Sequence, residues 1–125
     1  MRPLTHPSVD SITVEGILHA LSDPERMAIY ASLASSDKGL SCSNFQRINE
    51  RNIPKSTLSQ HFRALREAGL IRSERLGVEM LSTVRRDEID RRFPGLLDAI
   101  MAAYRHQAGK AGAGRKRSTR ARTGG

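Results

Sequence analysis

Residues 55–68 are rich in side chains that hydrogen-bond or carry charge. If the stretch is helical, at about 100° per residue, one side carries Ser56, Gln60, Arg63 and Glu67, with Ser59 at its border. A glutamine amide can pair with N6 and N7 of adenine, and a guanidinium can pair with O6 and N7 of guanine or with phosphate. Gln60 and Arg63 are therefore the candidates for reading base edges.

The start of the same stretch favours close approach to phosphates. Short side chains allow a helix N-terminus, with its unbonded N–H groups and partial positive charge, to come near an anion. This role is assigned to Ser56, Thr57 and Ser59. Residues 51–75 hold six Arg and Lys against two Glu, so the segment is locally basic. Phosphate contacts and anchoring of the following segment are assigned to Lys55, Arg66, Arg72 and Arg75.

The opposite side of this helix is apolar. Leu58, Phe62 and Leu65 form one narrow stripe, which predicts that they face a core. Gly69 is predicted to end the helix, with Leu70 contacting Leu65 in a Schellman ending. His61 lies beside the stripe, which indicates packing or a phosphate contact rather than base reading or metal binding.

The preceding residues predict two helices. The chain has 125 residues, enough for one domain, and its apolar content of 38% with only 4% aromatic residues favours packed helices. Apolar residues at helical spacing, Val14 to Leu21, predict the first helix. Ser22 and Glu25 have the spacing of a capping box, and Pro24 is tolerated in the first turn of a second helix.

A third helix is expected to be short. Phe45 and Ile48 predict about two turns beginning near Ser41 or Ser43, ended by the segment 51–54.

An extended segment and a last helical region follow Gly69. Residues 70–76 and 80–84 predict a two-stranded hairpin with Gly77 in its tight connection. The last helical region follows Asp87 and resumes at Pro94, with more apolar surface than a terminal helix should expose. The order of elements predicts a mainly α fold with a small β-hairpin wing, the winged helix-turn-helix.

Three segments resemble the ArsR/SmtB family of bacterial repressors: Ala20-Leu21-Ser22-Asp23-Pro24-Glu25-Arg26, Lys55-Ser56-Thr57-Leu58-Ser59-Gln60-His61-Phe62 and Leu65-Arg66-Glu67-Ala68-Gly69-Leu70-Ile71. The similarity spans residues 12–104. It implies a homodimer paired through the first and last helices, with helix 55–68 in the major groove of a pseudo-palindromic operator and repression as the default action. The residues expected at the dimer interface are Val14, Ile17, Leu18, Leu97, Ile100, Met101 and Tyr104.

The metal-sensing patterns of that family are missing from this sequence. Cys42 is a single thiol between two serines, and Asp98 and His106 lie eight residues apart with no further His nearby. We therefore predict no metal site and no cofactor, because metal ligands must converge to bind. Cys42 is interpreted as a small buried apolar residue, with a redox switch as the alternative.

The two ends of the chain lack apolar periodicity. Residues 1–10 are predicted to be a flexible leader, residues 11–108 the winged domain, and residues 109–125 a disordered basic tail. The tail carries six of the Lys and Arg residues and no acid, which leaves +2 of the net +8 on residues 1–108. It can act as a basic arm on DNA or as a solubilising extension.

Other function classes are less well supported. There is no glycine-rich phosphate loop and no nucleophile paired with a base in a known context, so an enzyme is not predicted. No run approaches the roughly 20 apolar residues of a membrane span, and no apolar signal core is present, which predicts a cytoplasmic protein. A non-specific DNA-coating protein that uses the basic tail is the nearest alternative, followed by a protein-interaction module.

Overall fold

The computed structural model describes the backbone of residues 4–36, 39–45, 47–48 and 51–120, with side chains for all of these except 42, 43, 47, 48, 51 and 110–120. The helices are α1 (Val14–Leu21), α2 (Pro24–Ala34), α3 (Lys55–Glu67), α4 (Arg86–Arg92) and α5 (Leu96–Arg120). The strands are β1 (Leu40–Ser41), β2 (Arg47–Ile48), β3 (Arg51–Asn52), β4 (Ile71–Leu76) and β5 (Glu79–Val84). The described residues up to Pro94 form one compact unit, and those from Gly95 onwards form a second that contains α5. These elements match the predicted winged helix-turn-helix.

The second helix begins at a different cap from the one predicted. Asp23 is its N-cap, and the Asp23 carboxylate accepts the backbone N–H groups of Glu25 at 2.8 Å and Arg26 at 3.1 Å. Ser22 has helical backbone angles and ends α1 instead, so the Ser22 capping box is wrong. The residue before a proline is driven to an extended conformation, which suits Asp23 to cap ahead of Pro24.

The polar-faced helix packs as its apolar stripe predicts. Leu58, Phe62 and Leu65 are 2%, 1% and 0% exposed, so the inward orientation of this side of α3 is confirmed. The Phe62 ring lies 5.6 Å from the ring of Phe45, tilted by 59°, an arrangement that aromatic rings favour. These buried contacts fix the opposite side of α3 outward.

The end of α3 has the predicted Schellman geometry. Gly69 has φ +85°, its N–H donates to the carbonyl of Arg66, and the N–H of Leu70 donates to the carbonyl of Leu65. A Cβ at Gly69 would lie 2.4 Å from Ile12 side-chain atoms, so glycine is required both by the backbone angle and by close packing.

The predicted third helix is absent from the described part of the chain. Residues 42–45 form a single 3₁₀ turn, after which β2 and β3 pair as a two-residue antiparallel ladder. The side chain of Asn44 accepts the N–H of Ser41 at 2.9 Å, a local hydrogen bond that competes with helix formation. The Cys42 side chain lies outside the described residues. Both interpretations of its thiol, the buried apolar residue and the redox switch, therefore stay predictions.

The wing is a three-stranded antiparallel sheet in the order β1-β5-β4. The hairpin of β4 and β5 is confirmed, with Leu76 opposite Glu79 and Gly77 at φ +64° in the two-residue connection. The third strand, β1, was not predicted and adds to the outer edge of β5. Ser73 and Ser82 share a buried hydrogen bond of 2.7 Å across the hairpin.

The segment before α1 is attached to the wing, which differs from the flexible leader predicted for residues 1–10. The N–H of Ser73 donates to Nε2 of His6 at 3.0 Å, and the guanidinium of Arg85 donates to the carbonyl of Pro7 at 2.9 Å. Residues 9–11 then form a 3₁₀ turn. The composition of residues 1–10 does not predict this attachment, because it depends on two hydrogen-bond acceptors, the Pro7 carbonyl and the His6 imidazole, that meet donors from the distant wing.

This attachment is expected to weaken in acid. Burial lowers the pKa of His6 from 6.5, and the guanidiniums of Arg72, Arg66 and Arg85 lower it further. Because the undocked imidazole takes up a proton more readily, the docked leader is fully favoured above pH 6.5 and is lost as the pH falls through the lowered pKa. The protection of the Ser73 amide against hydrogen exchange, relative to the intrinsic exchange rate at each pH, should therefore fall in acid more steeply than in His6→Asn. Equal pH dependence in both proteins would contradict this role for His6.

The final helix is longer than the sequence predicts. α5 continues to Arg120, so residues 109–120 have a helical backbone rather than the disordered one expected of the tail, and residues 121–125 lie outside the described residues. Extending an existing helix needs no new nucleus, and Ala, Lys and Arg are good helix formers. Among the described residues, no helix has both the length and the apolarity needed to span a bilayer.

Candidate nucleic-acid interface

The outward side of α3 presents the predicted polar residues to solvent. Ser56, Ser59, Gln60 and Arg63 are exposed, and so is Lys55 at the first helical position. Thr57 and Arg66 are part-buried. The Gln60 side chain makes no hydrogen bond with any described residue, so its amide oxygen and nitrogen are available to a planar partner such as an adenine edge.

Arg63 is paired with an acid on its own helix. Its Nε donates to Glu67 at 3.1 Å, and the two side chains are 72% and 66% exposed. An exposed i,i+4 pair of this kind contributes only about 0.3–0.5 kcal/mol. The pair therefore holds the guanidinium without preventing it from turning to another acceptor.

Glu67→Gln is expected to strengthen DNA binding by about twofold, because it releases Arg63 from a pair worth about 0.3–0.5 kcal/mol. Fluorescence anisotropy with one labelled duplex measures the change. Glu15→Gln, which removes the same charge from α1, is the matched control. Equal affinities for the two variants would show that Glu67 does not compete for Arg63.

His61 joins α3 to the start of α2. The imidazole is 7% exposed, and its Nε2 lies 2.9 Å from Oε1 of Glu25. Burial agrees with the predicted packing role and leaves no access for a phosphate. Glu25 lies 36 residues earlier in the chain, and no local pattern pairs the two.

Three potential metal ligands converge at this point. Ligand atoms of Asp23, Glu25 and His61 lie within 4.8 Å of one another. Burial raises the pKa of the Asp23 carboxyl, but the N–H groups of Arg26 and Glu25 outweigh it and the net shift is downward. A metal-bound imidazole generally donates its other N–H to a partner, whereas the buried Nδ1 of His61 has no partner among the described residues. The geometry fits a hydrogen-bonded contact between α2 and α3 better than a metal centre.

The two wing arginines, Arg72 and Arg75, differ in whether they form an ion pair within the chain. Arg72 is half-exposed and donates to Glu88 at 3.3 Å, which ties it to α4. Arg75 is exposed near the tip and has no ion pair within the described part of the chain. The tip itself is apolar, with Val78 98% exposed. Arg75 is thus the wing cation better placed to reach an external phosphate.

The expected dimer residues fall into two groups. Ile17, Leu97 and Met101 are buried in the single chain, at 0%, 0% and 4% exposure. The accessible ones are Val14, Leu18, Ile100 and Tyr104. Leu18 is 49% exposed, which is unusual for a leucine on a helix whose other face is in the core.

Known regulators share this architecture. Residues 21–74, from the end of α1 into β4, match a helix-turn-helix domain family. An ArsR-like transcriptional regulator from Rhodococcus sp. RHA1 has the same fold, with a TM-score of 0.50 and 22% identity over 84% of this chain and 87% of that one. The uncharacterized HTH-type transcriptional regulator YceK of Bacillus subtilis (strain 168) is 39% identical over 85 residues, 67% of this chain and 82% of YceK.

The chain belongs to the HTH-type transcriptional regulators. A predicted DNA-binding transcriptional regulator from E. coli agrees, with a TM-score of 0.53 and 27% identity over 74% of this chain and 85% of that one. This protein is a transcriptional regulator with a helix-turn-helix DNA-binding domain, and its relatives confirm the prediction that it is not an enzyme.

Proposed function

We propose that this protein is a cytoplasmic, sequence-specific repressor of the ArsR/SmtB family that binds a pseudo-palindromic operator as a homodimer. The observation that supports the proposal is the two-sided burial of α3. Leu58, Phe62 and Leu65 hold the helix to the core, while Gln60 and Arg63 project from its exposed side. A helix presented in this way fits the major groove of B-DNA.

The side chains of α3 divide into two roles. Gln60 and Arg63 read base edges, and Arg63 leaves Glu67 to do so. Ser56, Thr57 and Ser59 allow the start of the helix to approach the groove closely. Phosphates on either side of the groove are contacted by Lys55, Arg66, Arg72 and Arg75, which position the protein without specifying the sequence.

Binding-site selection from random duplexes tests this proposal. A repressor of the proposed kind should enrich a two-fold symmetric site and prefer it to random duplex by at least about 10³-fold at physiological salt. The ratio must be measured over a range of salt concentrations, because phosphate contacts alone give strong binding at low salt. Enrichment of no common motif would reject sequence-specific repression.

The alternative is a DNA-coating protein that uses the basic tail. The charge of residues 109–125 supports it, because six cations without an acid attract any duplex. Such a protein would bind the selected site and random duplex almost equally. The same salt series therefore separates the two functions.

A homodimer is expected to depend on the accessible apolar residues. Ile100→Glu and Leu18→Glu should each shift sedimentation towards the monomer, because a carboxylate in an apolar interface loses its hydration without gaining a partner. Leu97 and Met101 are unsuitable for this test, since they are buried in one chain. Ala103→Glu, at an exposed position of α5, is the control. Both interface variants sedimenting as a dimer would contradict the proposed pairing.

A further inference from the structure

An open pocket of about 470 Å³ lies where the base of the wing meets α4. Four guanidiniums line it, one from β4, one from the junction after β5 and two from α4, together with two carboxylates. These residues are Arg72, Arg85, Arg86, Arg91, Asp87 and Glu88.

The pocket holds more positive charge than its own acids neutralise. Glu88 serves two guanidiniums at once, accepting from Arg85 at 2.7 Å and from Arg72 at 3.3 Å. Arg86 lies 3.5 Å from Asp90, which does not line the pocket. In the part of the chain that the structure describes, Arg91 has no ion pair, and its side chain is exposed. The surplus charge favours an anion.

One arginine of the pocket is fixed in place before any ligand arrives. The Arg85 side chain is only 3% exposed and is bonded to both Glu88 and the carbonyl of Pro7. Hydrogen bonds from Arg85 and Arg72 lower the pKa of Glu88, so this carboxylate stays charged and keeps both guanidiniums oriented. An oriented guanidinium loses less entropy when it binds an oxyanion.

We propose that the pocket formed by Arg72, Arg85, Arg86 and Arg91 binds a phosphate group. Guanidiniums match the oxygen spacing of phosphate and form charge-assisted, bidentate hydrogen bonds with it. The phosphate can belong to the backbone of a bound duplex or to a free phosphorylated compound. The first source rests on the proposed DNA-binding function and extends its interface from the wing to α4, whereas the second does not depend on it.

Arg91→Gln in the full-length chain tests the pocket, with Arg105→Gln on the exposed surface of α5 as the charge-matched control. In the first arm, inorganic phosphate is titrated while the arginine Nε resonances are followed by NMR. Arg91→Gln should weaken phosphate binding by about tenfold, since it removes a charge-assisted hydrogen bond. In the second arm, a random duplex is titrated over a salt series, and the slope of log affinity against log salt should fall by about 1.

The two arms identify the source of the phosphate. A reduced salt slope, with or without weaker inorganic phosphate binding, assigns the pocket to the DNA backbone, whereas an effect on inorganic phosphate alone assigns it to a free ligand. Arg91→Gln behaving as Arg105→Gln does in both arms would overturn the proposal. Arg91→Lys keeps the charge but cannot form the bidentate hydrogen bonds of a guanidinium. It should retain most of the salt slope and show that the fold is intact. A random duplex contains no operator, so failure of sequence specificity would leave this result unaffected.

Discussion

Phe62→Ala should lower the free energy of unfolding by about 3–5 kcal/mol, the largest single effect that we expect in this protein. Phe62 is 1% exposed and stands against Phe45, so truncation leaves a cavity between α3 and the segment that precedes it. A domain of this size is generally stable by only about 5–15 kcal/mol. The variant is therefore expected to be partly unfolded well below the melting temperature of the parent protein.

Urea unfolding followed by circular dichroism measures this effect. The midpoint should fall while the slope with denaturant stays the same, because the native fold is retained. Ser59→Ala on the exposed side of α3 is the control and should change stability by no more than about 0.5 kcal/mol. A similar small change in Phe62→Ala would mean that α3 is not held by its apolar stripe.

Gln60→Ala and Arg63→Ala are expected to cost about 1–3 kcal/mol each in binding to the selected site, with relaxed preference at the base pairs each contacts. Both side chains are exposed, so neither change should alter the fold. In Arg63→Ala the loss of binding free energy is slightly smaller than the contribution of the base contact. The Arg63–Glu67 ion pair is already absent from this variant and does not have to be broken on binding. Competition between the selected site and single-base variants of it measures the preference position by position.

Lys55→Ala and Arg75→Ala provide the contrast to these base-reading variants. As phosphate contacts, they should weaken all duplexes alike and reduce the salt slope by about 1 without changing the preferred sequence. A change in preferred sequence in Lys55→Ala, with none in Gln60→Ala, would reverse the assigned roles.

The sequence predicts α3 and the hairpin well because their determinants are local. The spacing of Leu58, Phe62 and Leu65 and the glycine at position 69 specify the helix, its buried side and its end within one stretch. Gly77 does the same for the hairpin connection. The exposed side of α3 follows from this pattern alone.

Features that depend on distant partners were missed. β1 exists because Leu40 pairs with Ser82, 42 residues along the chain, and the helix predicted nearby is replaced by a 3₁₀ turn. His61 meets Glu25 only once α2 and α3 have packed. The apolar spacing of Ile17, Leu97 and Met101 could not distinguish the core of one chain from an interface between two, because both bury the same kind of side chain.

The leader has a practical consequence for handling the protein. β4 is an outer strand of its sheet, and an unprotected outer strand is a template for pairing with a second molecule. The imidazole of His6 accepts the Ser73 N–H on that side, so the leader segment around His6 is a cover for this part of the strand against pairing with a second molecule. Truncation before residue 9, or a bulky fusion at the N-terminus, should favour aggregation, whereas a purification tag at the other end leaves this cover in place.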